Sequence, residues 1–421
     1  MSRTPEQKAA DAAATPGGWP GAVLAAGGGP GRPVTELMSG AVWNELLDEL
    51  RRAGEYITSK RAPATSLDRA EGFRHLGVLL KIGLEEMLVD WDPDRPRFHW
   101  SDGTVKWGLD CSDALYALVP VRPGGVYRVH GRRASVHFLG FQLVGQLSAL
   151  SDRDADTLEL VRDGSFELII GGEPREGNWM PLDANATTLT VRQFFYDWEN
   201  EEPAPLWIER IDTAESREPD VVAPTGIAAQ LAALGIFVRA GTEFWAESSI
   251  LKRDGNRNRF PDDHGIGSAA LASQKYQSFG IGYFSLQDDE TLIVTVTPPR
   301  AKYWSLHLGN FWGESLDYVN HQSSLNGHQA ALDADGVFRA VISRRDPGIA
   351  NWLDTAGRNE GVMIYRWNQA DGSPIPSTRL VRMDEVDELL PAGTPRVDPA
   401  QRRATIEMRR AHMRRRIDRT R

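Results

Sequence analysis

The stretch GSFELIIGGEPREGNWMPLD, Gly164–Asp183, has a counterpart in GVFRAVISRRDPGIANWLD, Gly336–Asp354. Both read as Gly-x-Phe, an apolar strand, a Pro/Gly loop, then Asn-Trp and a closing Asp. The likeness continues outward. FFYDW, ending at Trp198, corresponds to MIYRW, ending at Trp367, and each precedes a Pro-x-Pro turn. IERI (Ile208–Ile211) corresponds to LVRM (Leu380–Met383), and the Arg133-Ala134 turn to Arg300-Ala301. Upstream, LGVLLKIG (Leu76–Gly83) matches LGIFVRAG (Leu234–Gly241). The offsets for Leu76/Leu234, Arg133/Arg300, Asn178/Asn351, Trp198/Trp367 and Arg210/Arg382 are 158, 167, 173, 169 and 172 residues. Five nearly equal offsets point to an internal duplication.

Between these landmarks the chain alternates apolar and polar residues, as in YRVHG and VHFLGFQL, with turn residues every roughly 8–12 positions. That pattern is antiparallel β. Thr35–Arg52, with Leu37, Trp43, Leu46, Leu47 and Leu50, is expected to be an amphipathic helix packed on a sheet or on a second helix. That second helix is expected over Asp68–Met87, opened by Asp68 with Glu71 three residues on. The expected fold is α+β, mainly β: two tandem antiparallel β-sandwich units, jelly-roll-like, each preceded by helices. The expected organisation is a mobile arm over 1–33, a first unit over 34–215, a second over 216–392 and an Arg-rich helix or tail over 393–421.

The second copy also carries a resemblance. YWSLHLGNFWGESLDYVNHQSSLNGHQ, then DPGIANWLDTAGRNEG, then YRW, resembles the bacterial domain-of-unknown-function 1214 family over about Leu292–Met383, and more weakly over Ala114–Leu143. The resemblance implies a β-sandwich and no assigned activity, so it transfers no catalytic residue.

Composition narrows the function classes. The 421 residues are 41% hydrophobic and 25% charged, with net charge −10, which disfavours a general nucleic-acid field. Cys111 is the single cysteine, so an intrachain disulfide and a Cys-based zinc site are excluded. No run reads as a membrane span and no secretory leader is evident, so a cytoplasmic protein is expected. From Arg396 to Arg421 ten Arg face three acidic residues, which is +7 locally and leaves −17 elsewhere. That tail either docks on the acidic body of its own or a neighbouring subunit, or serves as an arm for nucleic acid or an anionic membrane.

What differs between the copies locates the candidate site. The second copy has a longer stretch from Leu308 to Asp335, rich in Asn, His and aromatics, where ligand sites are commonly built. Candidate ligand-binding residues are Trp304, His307, Asn310, Trp312, Tyr318, Asn326 and Arg366, which stands where the first copy has Asp197. Aromatic faces with Asn, Asp and His suit a small hydroxylated or ring-containing molecule. Asp317, His328 and Asp354 are the candidates for hydrolase-type acid/base work. Asn178-Trp179 and Asn351-Trp352, shared by both copies, read as architectural. No metal-ligand spacing, nucleophile elbow or phosphate loop occurs, so no cofactor is expected. The oxygen-rich loop in KRDGNRNRFPDDHG reads as a connector because its arginines oppose a cation. The alternative is a non-catalytic scaffold that assembles through the duplicated units and the basic tail, with a homo-oligomer left open.

Overall fold

In a computed structural model the described residues are 31–418, apart from 102, 104, 146–148, 214–222 and 262–276. The expected arm over 1–33 therefore lies almost wholly outside them. The protein is mostly β with some helices, and its sheets are built largely from antiparallel pairs. Two compact units divide the chain. The first comprises residues up to Val105, Leu115–Gln193 and Pro203–Glu247; the second comprises Lys106–Ala114, Phe194–Glu202 and Ser248–Arg421. Two short segments of the N-terminal half thus belong to the second unit.

In the first unit β1 (His99–Ser101), β2 (Ala114–Pro120), β4 (Phe138–Val144), β5 (Ala149–Asp154) and β8 (Thr188–Phe194) form one sheet in the order β1-β2-β8-β4-β5. β3 (Tyr127–Arg132), β6 (Ser165–Ile170), β7 (Trp179–Met180) and β9 (Leu206–Arg210) form another, ordered β7-β6-β3-β9. In the second unit β10 (Gln277–Ser285), β12 (Ala301–Gly309), β13 (Ser324–Asn326) and β16 (Glu360–Ala370) are ordered β10-β16-β12-β13. β11 (Glu290–Val296), β14 (Phe338–Ser343), β15 (Trp352–Asp354) and β17 (Ser377–Arg382) are ordered β15-β14-β11-β17. Counted within β2–β9 and within β10–β17, the two sets give the same two strand orders, apart from the extra edge strand β1.

The Asn-Trp motif shows why the sheets end alike. Asn178 accepts from Glu159 N at 2.8 Å and donates to Glu159 O at 2.9 Å. Asn351 does the same with Ala331, at 2.9 and 2.6 Å, and donates also to Arg339 O. The following Trp runs parallel to the neighbouring strand in each case, Trp179 beside Ile169 and Trp352 beside Val341. Its indole N–H donates to Gly171 O or to Ser343 O. A side-chain amide that reproduces a backbone donor–acceptor pair ties a loop to the sheet without a strand. The architectural reading of the motif is correct.

Three long helices complete the first unit: α1 (Ala41–Thr58), α2 (Ser66–Gly83) and α3 (Pro224–Gly255), whose residues to Glu247 belong here. The expected start of α2 needs correction. Thr65, not Asp68, is the N-cap, its hydroxyl accepting from Asp68 N at 3.1 Å. The expected first helix is also broken, because Gly40 (φ 73°) ends a short turn at Val34–Met38 before α1 begins. The repeated LGxxxxxG segments meet at the α2–α3 crossing. A Cβ on Gly83 would fall 3.1 Å from the Phe237 ring, and one on Gly241 would fall 2.9 Å from Leu79. Phe237 and Leu79 hold equivalent positions in the two segments, so the contact is reciprocal, and the glycines let the backbones approach. α3 is long and apolar enough to cross a bilayer by length and composition, although about half of its most apolar window is buried. It also carries ion-paired Arg239, Glu243 and Glu247, so no clear membrane span is present among the described residues.

Two predictions follow from this packing. Asn351→Ala removes three hydrogen bonds from a buried side chain and should cost about 2 kcal/mol in urea unfolding, more than Asn178→Ala at its half-buried site. After α2 a single π-helical turn, Leu84–Val89, buries Glu86 in surroundings that push its carboxyl up to about 8. The unfolded chain releases that proton near pH 4.3 and the folded one keeps it. Stability should therefore fall as pH rises from about 4.5 to about 8, and Glu86→Gln should flatten that slope in pH-dependent melting.

Candidate functional site

The expected site residues lie in the second unit, on and around the β10-β16-β12-β13 sheet. The alternation of β12 divides its residues. Trp304, Leu306 and Leu308 face a core shared with Val294, Phe338, Leu353 and Trp367. Tyr303, Ser305 and His307 face the other way. Register extends that second face across the sheet: Tyr303 lies opposite Asn368, Ser305 opposite Arg366 and Asn326, and His307 opposite Ile364 and Ser324. A sheet in water would leave such a face exposed and polar, yet every one of these side chains is buried. The segments 106–114 and 194–202 and the helix α4 (Pro399–Asp418) supply its partners.

Asp113 is the centre of this layer. Its carboxylate accepts from Trp198 Nε1 at 2.8 Å, Tyr303 Oη at 2.7 Å and Asn326 Nδ2 at 2.9 Å. Burial pushes its pKa up, against the pull of those hydrogen bonds and of Arg416 and Arg409. Cys111 Sγ lies 3.2 Å from Tyr303 Oη, and burial raises the thiol, so Cys111 is no ready nucleophile.

Four buried cations lie in this layer, each over an aromatic face and each donating to a backbone carbonyl; Arg409 and Arg416 act on the Asp113 carboxylate, Arg366 and Lys106 on His307. Lys106 donates to Ser315 O and Leu316 O and sits over Tyr318. Arg366 donates to Leu109 O and stacks on Phe279. Arg409 donates to Tyr318 O and Ser324 Oγ over Trp198. Arg416 donates to Ser112 O over Phe195 and Trp198. Burial brings Arg409 down to about 10, still charged at neutral pH. The basic tail is thus docked on its own unit rather than held in solvent.

His307 stands apart. It is 1% exposed, and neither ring nitrogen has a hydrogen-bond partner. Burial, followed by the nearby charges of Arg366 and Lys106, pushes its pKa well below the ordinary value and keeps the ring neutral. The amide nitrogen of Asn368, on the same face, is also unpaired.

The structure brings His307, Asn326, Arg366 and Tyr318 together on this layer and places the other expected residues apart. Trp304 is in the apolar core, where the space beside Phe338, Tyr365 and Trp367 has no room for a water molecule. Asn310 closes a turn through Trp312 N and Glu314 N, and Trp312 is buried against Phe311. Tyr318 packs under Lys106 and against Trp198. Asp317 caps the next turn through Val319 N and Asn320 N, which holds its pKa low despite burial. His328 is half exposed, 3.7 Å from Asp197. Asp354 pairs with His321 Nδ1 at 2.7 Å, a histidine outside the expected set. In the oxygen-rich connector Asn258 spends its amide on Ser285, while residues 262–265 lie outside those described. Among the described residues no group of three or more His, Cys, Asp or Glu is placed to hold a metal ion.

Comparison with known proteins adds the family. The model of the family described as "Protein of unknown function (DUF1214)" matches residues 285–371. An uncharacterized protein from Burkholderia cenocepacia has a solved structure that is 35% identical, with TM-score 0.79, covering 84% of this chain and all of its own. The chain belongs to the DUF1214 family. A second solved structure, from Vibrio parahaemolyticus, is 11% identical at TM-score 0.43, covering 80% of this chain and all of its own. No curated protein matches. The DUF1214 segment contains β12, β13 and β16, and so most of the polar face, but lacks Asp113, Trp198 and the α4 arginines that cover it.

Sequence reasoning missed those covering residues because they come from three distant parts of the chain. One local signal was available, the polar alternation Tyr303, Ser305, His307 inside an otherwise apolar strand. Asp113→Ala should take the carboxylate acceptor from the buried Trp198 indole and Tyr303 hydroxyl, while Asn326 keeps Tyr196 O, and destabilise the second unit by about 3 kcal/mol. Asp113→Asn, which keeps one acceptor oxygen, should cost less; chemical denaturation of both variants compares them.

Proposed function

We propose that this protein binds a small hydroxylated or ring-containing molecule on the polar face of the β10-β16-β12-β13 sheet, against His307. The observation that carries the reading is the unpaired imidazole. A buried ring with no partner for either nitrogen forgoes about 1–3 kcal/mol for each unsatisfied group. A neutral imidazole offers one donor and one acceptor, which a hydroxyl answers with an acceptor and a donor. Arg366 and Asn368 lie on the same face to orient further oxygens, and Tyr303 and Phe279 offer ring surfaces.

Binding is favoured over conversion. Asp317 and His328 each act locally, so acid/base chemistry would fall to the part-buried His321–Asp354 pair. The scaffold reading gains from the two matching strand orders, which support a duplicated jelly-roll-like unit of eight strands. It loses its tail contact, because Arg409 and Arg416 are spent inside their own unit. We place the protein in the cytoplasm by default, as its sequence suggested.

Native mass spectrometry of freshly purified protein tests the reading. Excess mass of a few hundred daltons should accompany the wild-type chain and vanish in denaturing conditions. His307→Ala should lose that mass while keeping its circular dichroism spectrum. A set of sugars, hydroxy acids and phenols should raise the wild-type melting temperature and leave that variant unmoved. A bare wild-type mass together with no melting shift would sink the proposal.

A further inference from the structure

His307 and the rest of the polar face are sealed from water, so whatever reaches them needs part of the covering to move. The strands cannot part without breaking the ladders that join β12 to β16 and β13. The segments 106–114 and 194–202 are locked to the sheet and to each other. Asp113 takes Tyr303, Asn326 and Trp198, Phe195 N donates to Asp113 O, and Arg366 donates to Leu109 O. α4 is fastened differently.

Backbone hydrogen bonds pin the chain just before α4. Val397 N donates to Gly348 O at 3.0 Å, and Ala350 N donates to Pro395 O at 2.8 Å. Asp398 then caps the helix through Ala400 N and Gln401 N. Arg402 ties the first turn to Asp346 and to Ile349 O. Past that turn, among the described residues, side-chain tips make the hydrogen bonds to the body. Arg409 reaches Tyr318 O and Ser324 Oγ, Arg410 reaches Asn320, Arg415 reaches Trp198 O and Glu199 O, and Arg416 reaches Ser112 O. Met413 is the only apolar side chain buried on the described part of α4.

Closing this part of the helix takes Arg409, His412 and Arg416 out of water, a desolvation cost that carbonyls and aromatic faces offset. Lifting it returns the guanidinium groups to water. The body keeps its centre, because the Asp113 carboxylate accepts from Trp198, Tyr303 and Asn326, none of them on α4. Asp113 loses the charges of Arg409 and Arg416 on opening, which keeps the closed form the ground state. Position completes the argument. Ser324, bonded by Arg409, lies directly opposite His307, and Ser112, bonded by Arg416, adjoins Cys111.

We infer that α4 is a hinged cover, pivoting on the pinned segment 395–398 while the sheets stay folded, and that its opening is the way in to His307. The opening itself is independent of the ligand reading; its use as an entrance rests on that reading.

Cys111, the only cysteine and 1% exposed, is the reporter. Full-length protein is treated with iodoacetamide at mildly alkaline pH over a series of sub-denaturing urea concentrations, and the alkylated mass is followed. Hydrogen exchange of α4 peptides is followed in parallel. Labelling of Cys111 and exchange of α4 should share one shallow urea dependence, well below that of whole unfolding. Arg415→Gln should speed both at least tenfold, while Arg403→Gln, at an exposed position of α4, should leave both within twofold. Exchange of α4 only together with β12 and β16, on the steep urea dependence of whole unfolding, would overturn the proposal. So would α4 exchange that leaves Cys111 unreactive, since the opening would then miss the polar face. A separate opening beside a bare native mass would keep the cover and sink only the ligand reading; excess mass without a separate opening would do the reverse.

Discussion

The second unit is organised by the need to give partners to a polar sheet face that is kept from water. β12 and β16 place Tyr303, Ser305, His307, Arg366 and Asn368 on one side of a sheet whose other side is a conventional apolar core. Asp113 accepts from three of the covering and facing side chains, and an acceptor with that many ties fixes the positions of Trp198, Tyr303 and Asn326 together. The segments at 106–114 and 194–202 belong to this unit for that reason, although the sequence around them belongs to the other.

Four cations in so small a volume would repel one another if carboxylates did not offset them. The protein answers chiefly with carbonyl dipoles and aromatic faces, which satisfy guanidinium donors without adding further charge. Trp198 is shared by Arg409 and Arg416 and stacks on His412, with ring centroids 4.8 Å apart. Burial and the neighbouring arginines keep His412 neutral, so it accepts from Arg416 Nε at 2.6 Å. The Arg-rich helix is therefore part of the fold rather than an appendage. Among its described residues Arg403 and Arg414 are the arginines left exposed.

The helices of the first unit follow a different rule. Where the repeated segments cross, Gly83 and Gly241 make room for Phe237 and Leu79, and close approach takes the place of large apolar side chains. With the inner faces of α1 and α2 occupied by α3, Trp43 and Leu47 of α1 are left exposed. An expectation of burial for Trp43 and Leu47 follows naturally from amphipathicity, because a helix with two apolar stripes looks in sequence like a helix with one broad stripe.

The sequence by itself determined the β-rich class, the short strands and their turns, and the role of the Asn-Trp motif. Each of these rests on local chemistry: period-two alternation, glycines at positive φ such as Gly164 and Gly336, and an amide that mimics backbone. His307, Asn326 and Arg366 were singled out in sequence by the longer stretch of the second copy and by the change from Asp197, and they share one face of the β10-β16-β12-β13 sheet. Only the tertiary structure decided that Asp113, Trp198, Arg409 and Arg416 join them, and that Trp304 turns to the core instead. The physical reason is that a buried charge is settled by partners brought from anywhere in the chain, and no spacing along the sequence records which carbonyl, ring or carboxylate will arrive.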